Sequence, residues 1–64
     1  MNNLKVGDII KFIGDDENKS IHREEIRGVC DKVIFTREIL DNGFGETTYR
    51  DIDDVITMGW NLES

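Results

Sequence analysis

The sequence predicts an all-β domain, five short strands closed into a small barrel with a single 3-10 turn before the last strand. Three observations carry that reading. β-Branched and aromatic runs alternate with polar, glycine-bearing segments, the spacing of strands and turns. Asp41-Asn42-Gly43 lies between two such runs and marks a hairpin, because Asn and Gly tolerate the positive φ that tight connections need. With 64 residues and a single cysteine, the chain is confined to one domain over residues 1–64, held by packing with or without self-association.

The first strand is expected over Asp8 to Ile13, with Ile10 and Phe12 on one face and Ile9 and Ile13 flanking Lys11 on the other. Gly14 to Ser20 holds no apolar anchor and reads as a mobile loop. Ile21, Ile26 and Val29 make a poor helical stripe, so a strand is expected around Glu25 to Asp31. An alternative, α+β, places a short helix around Ser20–Arg27.

Parity sets the expected register of the central hairpin. A two-residue turn at Asn42-Gly43 would oppose Phe35 to Arg50 and Ile39 to Glu46, leaving neither face apolar. A three-residue loop, with Gly43 in the left-handed region, sets Phe35 against Tyr49. That register assigns Val33, Phe35, Ile39 and Tyr49 to the core. Ile34, Thr36, Glu38 and Arg50 fall on the opposite face, with Leu40 and Phe44 near the loop. Ile52 sits among aspartates as in one helical turn capped by Asp51 or Asp53, and Val55 to Met58 reads as the final strand. Trp60 either covers the open end of the core or stands exposed as an interface anchor.

The layout resembles the SH3-like small barrel, with a KOW/Tudor-like arrangement. The likeness is carried by "VGDIIKF" at the first strand, the long polar loop after it, the tight central hairpin and "YRDIDDVI" before the last strand. It covers nearly the whole chain. Such barrels occur in peptide binders, ribosomal and transcription-associated modules, and small phage or mobile-element proteins. The resemblance therefore implies binding rather than catalysis.

Fourteen acids against eight Lys and Arg give a net charge of −6, a field that repels a phosphate backbone. The excess is concentrated after Leu40, where six acids accompany one arginine. No apolar stretch reaches the length of a membrane span, the amino-terminal residues lack the layout of a signal peptide, and the single Cys30 builds no disulfide framework. A cytoplasmic protein is expected, with Cys30 as a buried, inert thiol.

Catalytic chemistry is not expected. His22 is the only histidine and has only Ser20 nearby as a nucleophile. Cys30 and His22 fall short of a zinc site, "DIDDVI" lacks the central glycine of a calcium loop, and "GFG" precedes neither a helix nor a lysine, so no cofactor or metal is expected. The expected role is a non-enzymatic protein-interaction module or regulator, of the kind a phage uses to modulate a host protein. Its surface would be the apolar strip Ile34, Leu40 and Phe44, with Trp60, or the acidic group Asp51, Asp53 and Asp54 aimed at a basic partner; a homodimer through the strip is the related form. The alternative is a KOW-like nucleic-acid or ribosome-associated module using Arg23, Arg27, Lys32, Arg37 and Arg50. Glu24, Glu25, Asp31 and Glu38 accompany that basic set, and salt bridges between strands are its plainer account.

Overall fold

A computed structural model of the protein describes residues 4–63. The elements run β1 (Ile9–Ile13), β2 (Ile21–Cys30), β3 (Val33–Leu40), β4 (Gly43–Asp51), α1 (Ile52–Thr57) and β5 (Asn61–Glu63). All strand pairs are antiparallel and form one sheet in the order β4-β3-β2-β1-β5. The sheet is not closed into a barrel, since β4 and β5 are its two edges.

The expected first strand and central hairpin are present, and the loop at Gly14–Ser20 lies between strands. That loop is organised by Asp16, whose carboxylate accepts from the Ser20 backbone N–H at 3.0 Å and from its hydroxyl at 2.8 Å. Ser20–Arg27 is not helical: β2 extends over ten residues from Ile21 and contains most of that span. The expected 3-10 turn and final strand are also revised. Val55 to Thr57 continue the helical turn, making a six-residue α-helix with Met58 as its C-cap, and the last strand follows Trp60.

Both ends of α1 have a local cause. Asp51 is its N-cap, accepting from the Asp53 N–H at 3.0 Å. At the other end Gly59 takes φ +88°, its N–H donates to the Ile56 carbonyl at 3.2 Å, and Trp60 N–H donates to the Val55 carbonyl at 3.1 Å. This double closure needs a left-handed residue after the helix, which glycine adopts without steric cost. It stops the helix and directs Trp60 onto the sheet.

The core consists of Ile10, Ile26, Ile34, Val55 and Trp60, with Leu4, Phe12 and Ile52 packed against it. The expected core face is inverted. Phe35 does lie opposite Tyr49, but Phe35 is 43% exposed and Tyr49 73%, whereas Ile34 is fully buried and Thr36 is buried beside it. Val33 and Ile39 are half-buried on the outer side.

One bulge explains the inversion, and a second keeps the expected pairing of the central hairpin. In the β2–β3 pair, Ile26 opposes Thr36 while Gly28 opposes Phe35, leaving Arg27 without a counterpart. That extra residue reverses the relation between the strands' faces. Continuing the register from the Cys30–Val33 turn without it would set Ile26 against Arg37, on the face of Phe35. In the β3–β4 pair, a two-residue turn at Asp41-Asn42 pairs Leu40 with Gly43, and the register then shifts between Ile39 and Arg37. The shift restores the Phe35–Tyr49 pairing that a three-residue loop was expected to produce. Gly45 permits it: a Cβ there would lie 2.8 Å from Glu38 Oε1 and 3.1 Å from Glu38 Cβ.

The inverted faces reverse the order of mutational cost. Ile34→Ala should destabilise by about 2–5 kcal/mol, while Phe35→Ala should cost about 1 kcal/mol or less. Urea unfolding of the two variants measures both, and a larger loss for Phe35→Ala would restore the parity expected from sequence.

Candidate functional site

The inward residues of β2 are His22, Glu24 and Ile26, so a carboxylate is carried into the core by the same alternation that buries Ile26. Glu24 is 2% exposed, and both its oxygens are engaged. Oε1 accepts from the Thr36 hydroxyl and from Arg50 Nε, each at 2.7 Å. Oε2 accepts from Arg50 Nη2 at 2.7 Å and lies 2.7 Å from His22 Nε2. The other imidazole nitrogen, Nδ1, lies 3.2 Å from Glu38 Oε2. Three neighbouring strands, β2, β3 and β4, thus meet at one carboxylate.

Burial pushes the Glu24 carboxyl up, but the donors from Arg50, Thr36 and His22 outweigh it and hold the group at about 2. Reciprocally, the hydrogen bond to Glu24 holds the Arg50 guanidinium above its ordinary value against the opposing effect of burial. Trp60, 6% exposed, covers this group. Its ring lies 4.8 Å from Arg50 Cζ, 5.6 Å edge-on from the His22 ring and 5.5 Å from Phe12. The Trp60 indole N–H is buried and has no hydrogen-bond partner.

The outer face of the β3–β4 hairpin differs in character. Phe35 and Tyr49 stand opposite one another, and Phe35 lies over Gly28, where a Cβ would come within 3.4 Å of the ring. Phe44 is exposed and lies under the Arg37 guanidinium, 3.4 Å from Cζ to the ring centroid. Arg37 Nε also donates to Glu25 Oε1 at 2.9 Å, and Arg27 lies 3.6 Å from the same oxygen. The result is an aromatic surface held at one end by a paired arginine.

A cleft of about 260 Å³ opens between the end of β4 and α1, lined by Tyr49, Arg50, Asp54, Val55, Met58 and Trp60. Asp51 adjoins it. A second, more open depression of about 340 Å³ is bounded by Ile56, Asn61 and Leu62 with Trp60.

The residues singled out by sequence are redistributed among these surfaces. Leu40 and Phe44 are exposed as expected, but Ile34 and Trp60 belong to the core and leave the expected apolar strip. Asp51, Asp53 and Asp54 are exposed at the start of α1. Of the basic set, Arg23 pairs with Glu63 at 3.3 Å, Arg27 and Arg37 share Glu25, and Arg50 is committed to Glu24. Lys32 is exposed in the turn after β2 and has no ion pair among the described residues. Ser20 and His22 do not bond each other: the hydroxyl is committed to Asp16 and the imidazole lies between Glu24 and Glu38. Cys30 is exposed at the end of β2, not buried.

Sequence reasoning missed Glu24, Thr36 and His22 as partners in one buried group, and Phe35 and Tyr49 as surface residues. The available signal was the alternation of Glu24 with Ile26, which places an acid inside whenever that isoleucine is inside. Among the described residues no group of three or more His, Cys, Asp and Glu side chains is arranged to hold a metal ion, and no helix is long and apolar enough to cross a membrane. The chain matches no protein-family model, no curated protein and no solved structure.

The depressed Glu24 carboxyl links stability to acid. Its value falls from 4.5 in the ordinary state to about 2 in the folded chain, so its contribution is complete above the higher value and is lost as pH falls toward the lower. The loss should be on the order of 3 kcal/mol across that window. Carboxyl-detected NMR titration should place the Glu24 transition near pH 2, and Glu24→Gln should flatten the acid dependence of urea unfolding. A Glu24 transition in the ordinary carboxylate range, or an unchanged slope in Glu24→Gln, contradicts the assignment.

Proposed function

We propose that the chain is a non-enzymatic protein-interaction module whose binding surface is the outer face of the β3–β4 hairpin. One observation carries this reading: Phe35, Phe44 and Tyr49 are exposed on that face while the core is already completed by Ile10, Ile26, Ile34, Val55 and Trp60. Three of the chain's five aromatic residues are therefore spent on solvent. Aromatic side chains contribute large, stiff contact areas at interfaces, and clustered exposed apolar surface is more informative than scattered residues.

Two further features support the proposal. The Arg37 guanidinium over Phe44 combines the residue types enriched in interface centres, with its charge balanced by Glu25. The strand order, with β5 beside β1 after a short helix, is compatible with an SH3-like small barrel left open at one side, a fold that hosts binding modules more than enzymes. A cytoplasmic regulator acting on another protein fits this reading. The paired state of Arg23, Arg27, Arg37 and Arg50 makes these side chains poor phosphate ligands, so the nucleic-acid alternative draws no support from the surface.

The double variant Phe44→Ser/Tyr49→Ser tests the proposal. Both side chains are exposed, so the variant should unfold within about 1 kcal/mol of the native chain. In matched affinity captures from cell extract, proteins retained by the native chain should be lost by the variant, with cross-links mapping to β3 and β4. Equal capture by both chains, or cross-links confined to other strands, would reject this face as the binding surface.

A further inference from the structure

The cleft between β4 and α1 lies at a different place from the aromatic face and shares only Tyr49 with it. We propose that it receives the side chain of a lysine or arginine from an extended segment of a partner protein, whose backbone lies along the free edge of β4.

Size restricts the occupant. A volume of about 260 Å³ lies below the roughly 300–1,000 Å³ of small-molecule sites and suits one long side chain. The lining divides as a cationic side chain does. Val55, Met58 and the ring of Trp60 offer apolar surface for an aliphatic stem. Asp54 offers a carboxylate with no ion pair or hydrogen bond among the described residues, and Asp51 keeps Oδ2 beyond the Oδ1 that caps the helix. The cleft also contains a positive charge, but Arg50 is held by both Glu24 oxygens, so the uncompensated charge facing the cleft is negative.

Two independent features call for a backbone as well as a side chain. The Trp60 N–H is buried without an acceptor in a residue that lines the cleft, and buried donors are rarely left so. That N–H is covered in the free chain, so a carbonyl of the bound segment becomes its acceptor as the indole turns toward the cleft. Beside it, β4 is a nine-residue edge strand without proline or lysine, and among the described residues no strand pairs with its outer edge. Such an edge is a template for strand addition. The acidic excess after Leu40 selects for a basic segment during encounter.

The test uses the full chain and a defined probe, the capped peptide Thr-Val-Lys-Val-Thr, followed by amide NMR at low salt. Trp60 is the only tryptophan, so its indole N–H gives one resonance. The lysine peptide should shift that resonance and the amides of Tyr49, Arg50 and Asp51 saturably. Replacing its lysine by glutamate should abolish binding, and Asp54→Asn in the protein should weaken it about fivefold without loss of fold. Equal binding of the lysine and glutamate peptides, no saturable shift at millimolar peptide, or indifference to Asp54→Asn would overturn the proposal. Shifts confined to Phe35 and Phe44 would overturn it too, while supporting the aromatic face. Concentration-dependent shifts along β4 without peptide would assign the edge to a second copy of the chain instead.

Discussion

The buried carboxylate of Glu24 is the constraint on which the arrangement of the sheet depends. A charge out of water is tolerated only when its lone pairs are filled, and Thr36, Arg50 and His22 fill them from three strands. Arg50 lies 26 residues away in sequence, so the interaction exists only when β2, β3 and β4 are correctly ordered and registered. A slip of one residue in β3 would turn Thr36 outward and bring Phe35 against a carboxylate. The network is therefore better understood as a selector of register than as a large net source of stability, because buried ion pairs return much of their attraction as desolvation.

That selection has a consequence on the opposite side of the sheet. Once Ile34, Thr36 and Arg50 point inward, Phe35, Arg37 and Tyr49 must point outward, whatever their hydrophobicity. The core tolerates this because Trp60, delivered by the Gly59 closure of α1, covers the polar group and supplies the aromatic mass that Phe35 and Tyr49 do not. The exposed aromatic face is thus coupled to the buried network: the same alternation that satisfies Glu24 releases Phe35 and Tyr49 to solvent, and the shift beside Glu38 places Phe44 with them.

Much of the fold was legible in local sequence. The first strand, the loop before Ile21, the central hairpin and the Asp51 cap follow from alternation, turn chemistry and capping, whereas Phe35 meets Tyr49 through a register shift and not through the expected three-residue loop. The helix after Asp51 was read too short because Val55, Ile56 and Thr57 are β-branched, a weak preference that flanking signals override. Those signals were present in Asp51 and Gly59, eight positions apart, which bracket the element. Of the candidate site residues, Leu40, Phe44 and the three aspartates occupy the expected surface, whereas Ile34 and Trp60 do not.

The sequence by itself determined that this chain is a small, acidic, strand-rich domain, because composition and two-residue periodicity act locally. It also located the loop after Ile13 and the central hairpin near Asp41 to Gly43, since polar and glycine residues there favour turns over strands. Which face of the hairpin became core was decided only in the tertiary structure. Face assignment depends on the register between strands: one unmatched residue at Arg27 reverses it, and one shift beside Glu38 keeps Tyr49 on the face of Phe35. Bulges of this kind form where long-range partners reward them, here the donors around Glu24, and no local propensity records that reward.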